Sequence, residues 1–151
     1  MLFGATSLTL DAKGRMAMPS RFREMLAETS GSEVIVTVDW KDRCLLIYPM
    51  PEWKTVHQKL MELPSFKDQT RHVQRLMMGY ATATVLDSHG RILLTPTLRE
   101  YAFIDREVML FGQGNKFELW SSDLWRKQCD DWSKRDHGKE GLEPEIAGLS
   151  I

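Results

Sequence analysis

The chain contains the stretch Leu10-Asp11-Ala12-Lys13-Gly14-Arg15 and, 76 residues later, the stretch Leu86-Asp87-Ser88-His89-Gly90-Arg91. The leucine, aspartate, glycine and arginine recur at one offset, which also brings Arg23-Glu24 onto Arg99-Glu100. Further matches keep their order at slightly shorter offsets: Glu33-Val34 with Glu107-Val108, Tyr48 with Trp120, and Trp53 with Trp125. Matches that keep their order indicate an internal duplication in which only loop lengths differ.

Each copy predicts the same series of elements. The motif separates two short strands, because Asp followed by Gly at this spacing is typical of a turn. The first copy then predicts a helix that Ser20 caps, strands at 33–38 and 44–48, and a helix from Pro51. The second predicts a helix from Thr95-Pro96, strands at 107–111 and 116–120, and a helix capped within Ser121-Ser122-Asp123. Between the copies, Ser65-x-x-Asp68 resembles a capping box and predicts another helix, which ends near Gly79.

These elements predict an α+β protein built from two similar halves. A unit of roughly 70 residues buries only a marginal core, so the halves should pack together and interleave. Strand edges left open favour pairing with other chains, and we expect an oligomer. From Lys134 onward the chain is polar and aperiodic, which predicts a mobile or loosely docked tail.

Composition narrows the class of protein. The 151 residues are 42% hydrophobic and 27% charged, with apolar runs of only a few residues and no secretory signal at the N-terminus. We therefore expect a cytoplasmic protein with free thiols. The net charge is −1, but residues 1–75 hold 11 basic and 9 acidic side chains and residues 76–151 hold 9 and 12. A basic face and an acidic C-terminal segment can therefore coexist.

The patterns typical of enzymes and metal sites are absent from the sequence. No P-loop, G-x-S-x-G or G-x-G-x-x-G motif occurs, and the four histidines lack metal-helix spacing. Cys44 and Cys129 lie far apart and fall on apolar patterns, so we interpret each as a small buried hydrophobe rather than a nucleophile. We expect no enzyme activity, no metal and no cofactor.

The repeated motif carries the candidate binding residues. The first copy has four basic side chains within a dozen residues: Lys13, Arg15, Arg21 and Arg23. The second copy has a weaker set, His89, Arg91 and Arg99, in which Thr97 replaces Arg21. Asp11 and Gly14, like Asp87 and Gly90, are expected to shape the turns. Strand alternation predicts that Lys13 and Arg15 share a face, whereas Arg21 and Arg23 diverge by roughly 200° on their helix. For Arg15 two interpretations stay open: it pairs with Asp11, or it contacts DNA.

A basic hairpin suits duplex DNA. A guanidinium matches both a phosphate and the guanine edge, and a short hairpin is a suitable size for the major groove. A single patch would make few phosphate contacts and bind weakly. Several copies held together would gain effective concentration and select repeated DNA sites.

Further motifs resemble one family. They are Phe3-Gly4-Ala5, the two Asp-x-x-Gly-Arg copies, Leu46-Ile47-Tyr48-Pro49, Pro51-Glu52-Trp53, Arg75-Leu76-Met77-Met78-Gly79 and Gly112-Gln113-Gly114-Asn115-Lys116-Phe117-Glu118-Leu119-Trp120. Together they resemble the MraZ family over residues 1–133. The resemblance implies two tandem swapped-hairpin, AbrB/SpoVT-like β-barrel halves with short flanking helices. The repeats would span 5–50 and 81–124, with connecting helices at 51–80 and a C-terminal helix and polar tail at 125–151.

The resemblance also implies a function. It implies a nucleoid-associated bacterial transcriptional regulator that assembles into rings. Such a regulator binds repeated double-stranded DNA elements ahead of its own gene and the division and cell-wall gene cluster, where we expect repression. The family's Asp-x-x-x-Arg motif falls on Asp11/Arg15 and on Asp87/Arg91, and its DNA-facing role carries over best to Arg15. The alternative is an oligomeric structural or protein-binding scaffold without DNA readout, in which tryptophan and methionine form partner surfaces.

Overall fold

The polypeptide forms one series of elements twice. The computed structural model describes residues 1–135 and 142–151. The first copy comprises β1 (Leu2–Thr9), β2 (Arg15–Ala17), α1 (Ser20–Ser30), β3 (Glu33–Val38), β4 (Leu45–Pro49) and α2 (Met50–Met61). The second comprises β5 (Thr82–Val85), β6 (Arg91–Leu93), α4 (Pro96–Tyr101), β7 (Glu107–Gly114), β8 (Phe117–Ser121) and α5 (Ser122–Ser133). Helix α3 (Asp68–Gly79) joins the copies, and α6 (Pro144–Ala147) lies near the C-terminus.

The strands pair across the two copies. A six-stranded antiparallel sheet has the order β1-β7-β8-β4-β3-β5, so the first strand of each copy pairs with the hairpin of the other. The hairpins meet at a central seam, where Leu45 pairs with Leu119. Strands β2 and β6 form a separate two-stranded ribbon. The predicted α+β class is confirmed, with a mostly antiparallel sheet and short helices.

The main core lies between one face of the sheet and the ribbon. Alternation along β3 and β4 sends Val34, Val36 and Ile47 to this face. The ribbon contributes Met16 and Ile92, and both are fully buried. Helices α1 and α4 close the layer, with the Phe22 ring edge-on to Phe117 at 4.8 Å between centroids. Because neighbouring residues of a strand point to opposite faces, burial of Met16 and Ile92 directs the side chains on either side of them outward.

A second core lies on the opposite face of the sheet, beneath α2 and α3. It consists of Ile35, Leu46, Tyr48, Trp53, Leu60 and Met77. At the other end of the same face, α5 packs Trp125 against Phe111 and Trp120. Because the sheet is covered by side chains on both faces, its central strand β4 is apolar throughout rather than alternating.

Several helix ends follow the local sequence. Thr95 caps α4, its hydroxyl accepting the Leu98 N–H at 3.4 Å, and Ser121 caps α5 in the same way through Leu124. The predicted capping box at Ser65 is wrong, since α3 begins after Lys67 and no side chain caps it. The predicted cap at Ser20 is also wrong, because Pro19 occupies the cap position and Ser20 is the first helical residue. Strand β1 begins at Leu2, because its pairing with β7 extends to Gly114.

Two expectations for the C-terminal region need correction. Cys129 is exposed, and Trp132 on the same helix is 54% exposed. Cys44 is fully buried, as predicted. Part of the predicted tail, residues 136–141, lies outside the described residues; within 142–151, Pro144 starts the short helix α6, where no regular element was expected.

Candidate nucleic-acid interface

The first Asp-x-x-Gly-Arg motif forms a closed turn between β1 and β2. The Asp11 N–H donates to the Arg15 carbonyl, and the Gly14 N–H donates to the Asp11 carbonyl, each at 3.0 Å. Asp11 Oδ1 accepts the N–H groups of Lys13 at 3.0 Å and of Arg15 at 2.9 Å. Gly14 has φ +81°, a left-handed conformation that favours glycine. These contacts explain why the turn needs aspartate and glycine at this spacing.

Arg15 is ion-paired and still accessible. Its Nε donates to Asp11 Oδ2 at 2.6 Å, so the pairing considered from the sequence is present. The two terminal nitrogens of Arg15 have no hydrogen-bond partner among residues 1–135 and 142–151. The side chain is 30% exposed. The carboxylate therefore orients the guanidinium while leaving its outer edge open to a further acceptor.

The second motif repeats this geometry. Asp87 Oδ1 accepts the N–H groups of His89 and Arg91, each at 2.9 Å, and Asp87 Oδ2 accepts Arg91 Nε at 2.9 Å. Gly90 has φ +73°. The Ser88-His89 pair replaces Ala12-Lys13 at the tip, so the second turn carries one fewer fixed positive charge.

The short antiparallel ribbon holds the two turns at its opposite ends, one before Arg15 and the other before Arg91. Arg15 pairs with Leu93, and Arg91 pairs with Ala17, on either side of the buried pair Met16 and Ile92. Alternation therefore turns these four side chains to the outer face of the ribbon. Arg91 Nη1 lies 4.0 Å from Asp11 Oδ2, so one carboxylate faces guanidinium groups from both copies. The proximity of the turns depends on long-range pairing, and the only sequence signal for it was the matched motif itself.

The pKa values of both turn carboxylates, Asp11 and Asp87, are lowered, which favours their ionised forms. Backbone N–H donation from Arg15 lowers the pKa of Asp11 below its ordinary value of 3.8, against an opposing effect of burial, and the Arg15 side chain lowers it further. Arg91 acts in the same way on the pKa of Asp87. The ion pairs are thus intact at neutral pH.

Arg23 and Arg99 lie against the turns of the opposite copies. Arg23 Nη1 donates to the His89 carbonyl at 3.4 Å, and an added Cβ on Gly90 would lie 2.1 Å from Arg23 Cδ. Arg99 Nε donates to the Leu94 carbonyl at 3.0 Å, and an added Cβ on Gly14 would lie 2.8 Å from that nitrogen. Each arginine thus packs over a turn glycine and brings a cation beside the ribbon.

Lys13 and Arg21 differ from the simple expectation. Lys13 is exposed within the turn, before β2 begins, so strand alternation does not set its direction. Arg21 belongs to α1, and its side chain extends towards β1: its Nη2 donates to Thr6 Oγ1 at 3.3 Å and its guanidinium lies 4.5 Å from the Phe22 ring centroid. Since Arg23 contacts His89 instead, the predicted divergence of the two arginines is confirmed.

Within the described ranges, no helix combines the length and the apolar character needed to cross a bilayer.

Comparisons with known proteins place the chain in a family. The family model described as "MraZ protein, putative antitoxin-like" matches residues 1–76 and again residues 77–140, which fits the tandem duplication. A protein of Thioalkalivibrio sulfidiphilus named transcriptional regulator MraZ is 53% identical over 144 residues, covering 95% of this chain and 94% of that protein. Proteins of the same name from Pseudomonas aeruginosa and Coxiella burnetii are 49% and 45% identical, and each alignment covers 100% of both chains. The chain therefore belongs to the MraZ family.

Proposed function

We propose that this protein is a DNA-binding transcriptional regulator whose paired turns contact the duplex. The observation that carries the proposal is the ribbon, which holds Arg15 and Arg91 on one outer face beside the exposed Lys13. A two-stranded ribbon fits the width of the major groove, and oriented guanidinium groups can donate to phosphates or to guanine. The relatives are named transcriptional regulators, which supports the same proposal.

We assign different roles in DNA contact to the basic residues. Arg15 and Lys13 form the principal contact, with Arg91 as a second and weaker one because His89 replaces the neighbouring lysine. Arg23 and Arg99 hold the turns and add phosphate contacts from the flanks of the ribbon. Arg21, whose side chain contacts β1, contributes at most a peripheral phosphate contact.

Self-assembly would raise the strength of binding. One ribbon offers only a few phosphate contacts, each adding about 0.9 to the salt dependence, and would bind weakly alone. The sheet ends in the unpaired edges of β1 and β5, which supports association with further copies. We infer a ring-shaped homo-oligomer that binds repeated promoter elements in the cytoplasm, at the nucleoid. It represses its own promoter and the division and cell-wall genes downstream.

The cross-pairing of strands supports a finer description of the fold. Strand β1 of the first copy pairs with β7 of the second, β5 of the second copy pairs with β3 of the first, and β2 pairs with β6. This exchange is what two swapped-hairpin, AbrB/SpoVT-like halves would require. We propose the repeats at 5–50 and 81–124, joined by helices at 51–80 and followed by the C-terminal segment at 125–151.

A protein-binding scaffold is the second candidate. It is favoured by exposed aromatic side chains away from the ribbon, among them Phe3, Phe66 and Phe103. Such a scaffold would bind a protein partner with little dependence on salt, whereas a DNA complex held by phosphate contacts weakens steeply as salt rises.

The test is a footprint of the purified protein on the DNA upstream of its own gene, repeated across a salt series. Arg15→Ala should abolish protection while light scattering shows an unchanged oligomer, because a loss of about 1–3 kcal/mol at each engaged copy is multiplied across the assembly. Arg126→Ala is the matched control, since Arg126 is an exposed arginine on α5 that pairs only with Asp123 in the described chain. Equal affinity of the Arg15 and Arg126 variants for this DNA would remove Arg15 from the interface.

A further inference from the structure

Three metal-ligating side chains converge away from the ribbon. Asp39 follows β3, Cys44 precedes β4 and Glu118 lies on β8, and one ligand atom from each lies within 4.8 Å of the others. The first two belong to the first copy and the third to the second copy. The cluster therefore lies beside the central seam of the sheet, where Leu46 pairs with Glu118.

Each carboxylate is oriented through one oxygen. Asp39 Oδ1 accepts the N–H groups of Lys41 at 2.7 Å and Asp42 at 3.1 Å. Glu118 Oε2 accepts the indole N–H of Trp120 at 3.0 Å. The second oxygen of each carboxylate has no hydrogen-bond donor among the described residues. This is the arrangement in which outer hydrogen bonds hold ligating carboxylates in place for a metal ion.

The thiol of Cys44 is the second observation that points to a ligand. The residue is fully buried, and its sulfur has no hydrogen-bond partner in residues 1–135 and 142–151. The carboxylates of Asp39 and Glu118 place negative charges beside this sulfur. A buried sulfur among carboxylates lies where a cation would be electrostatically favoured.

We propose that Asp39, Cys44 and Glu118 bind a thiophilic divalent cation, of which Zn²⁺ is the physiological example. The donor set of one sulfur and two carboxylate oxygens disfavours Mg²⁺ and Ca²⁺, which prefer oxygen alone. Three protein ligands leave the fourth tetrahedral position for water. On binding, the Cys44 S–H bond breaks, the sulfur keeps the electron pair as thiolate, and the proton passes to solvent.

The charge of the occupied site is nearly balanced. A thiolate and two carboxylates around a divalent ion leave one negative charge, and the ammonium of Lys116 acts on Cys44 as a nearby positive charge. Because the ligands come from both copies, the bound ion would link the copies at their seam. Ligands that bind only the folded state stabilise it, so the site should raise the melting temperature.

The first experiment titrates the full-length, metal-free protein with Cd²⁺ and follows the ultraviolet charge-transfer band of the cadmium–thiolate bond. We expect one ion per chain, a band that is absent in Cys44→Ser and kept in Cys129→Ser, and a higher melting temperature with Zn²⁺. Cys129, the exposed thiol of α5, is the matched control. No stoichiometric uptake, or a band that follows Cys129, would overturn the proposal.

A second variant covers the case in which Cys44→Ser does not fold. Glu118→Gln keeps the thiol and the side-chain shape, and it should weaken Cd²⁺ and Zn²⁺ binding more than tenfold while the metal-free protein stays folded. An affinity equal to that of the parent protein would exclude Glu118 as a ligand and with it the three-residue site. Neither experiment depends on DNA, so its failure would leave the proposed regulator untouched.

Discussion

Arg23 of the first copy lies across Gly90 of the second, so closely that a Cβ on the glycine would come within 2.1 Å of the arginine Cδ. The same relationship joins Arg99 and Gly14 in the opposite direction. Each turn of the ribbon is therefore supported by a helix from the other copy. Each turn is closed by contacts within its own motif but depends on the other copy for this support, so loss of a supporting arginine should affect residues that are distant in sequence.

The first prediction concerns Gly90. Gly90→Ala should destabilise the protein by at least about 2 kcal/mol, because alanine is strained at positive φ and displaces Arg23. Gly31→Ala is the control, with φ +60° and nothing within 4 Å of the added Cβ, and it should cost about 1 kcal/mol. Chemical denaturation measures both. In an Arg23→Ala background the two alanine substitutions should cost the same; a remaining difference would contradict the steric explanation.

The second prediction concerns the two supporting arginines. Arg23→Ala should increase amide hydrogen exchange at residues 86–94, and Arg99→Ala should increase it at 10–18, because each loses a contact over the opposite turn. Mass spectrometry of peptides from the exchanged protein separates the two regions. Arg21→Ala, which loses contacts to β1 instead, is the control and should change neither. Faster exchange at the arginine's own turn alone would contradict the crossed arrangement.

The third prediction concerns pH. The pKa values of Asp11 and Asp87 are lowered in the folded protein, so their ionised forms contribute stability that is complete above the ordinary value of 3.8. That contribution disappears as pH falls through the lowered folded values. In thermal melts recorded between neutral and acidic pH, the double variant Asp11→Asn/Asp87→Asn should show a smaller fall in melting temperature at the acidic end than the parent protein. Asp131→Asn, an exposed change on α5, should leave the curve as it is; an equally steep curve in the double variant would refute this origin.

The fourth prediction concerns the weaker turn. His89→Lys should increase DNA affinity, and each new phosphate contact should steepen the salt dependence by about 0.9. The substitution gives the second turn the positive charge that Lys13 supplies at the first turn. His57→Lys makes the same change at an exposed position of α2, on the other side of the sheet, and should have little effect. Fluorescence anisotropy across a salt series measures both, and equal gains would indicate nonspecific attraction.

The fifth prediction concerns assembly. Light scattering should give a mass several times 17.5 kDa for the protein without DNA. A single ribbon has too few contacts for tight binding, so affinity and assembly should fall together on dilution. A monomer that still binds the upstream DNA tightly would contradict the multivalent argument.

Local chemistry in the sequence was sufficient to predict most elements. Thr95-Pro96 and Ser121 mark helix starts because the cap and the first helical residues are neighbours in the chain. The turns at Asp11 and Asp87 were predictable for the same reason. Ser65 shows the limit, because its spacing matched a capping box while the backbone entered the helix only at Asp68.

Contacts between distant residues could not be predicted in this way. The pairing of β2 with β6, the position of Arg99 over Gly14 and the convergence of Glu118 on Cys44 all depend on how the two copies interleave. Lys13 was assigned to a strand because alternation cannot show where a turn ends. Cys129 was expected inside because helical periodicity identifies a face without showing whether another element covers it.

The ribbon joins two turns that are encoded separately in one gene. In a symmetric homodimer both halves of a contact surface must mutate together, and the preferred target is a palindrome. Here Lys13 and His89 already differ at equivalent positions, so the surface has a polarity. For the regulator that we propose, this polarity predicts that the protein distinguishes the two directions along a DNA strand, and that head-to-tail arrays of a short asymmetric site suit it better than inverted pairs.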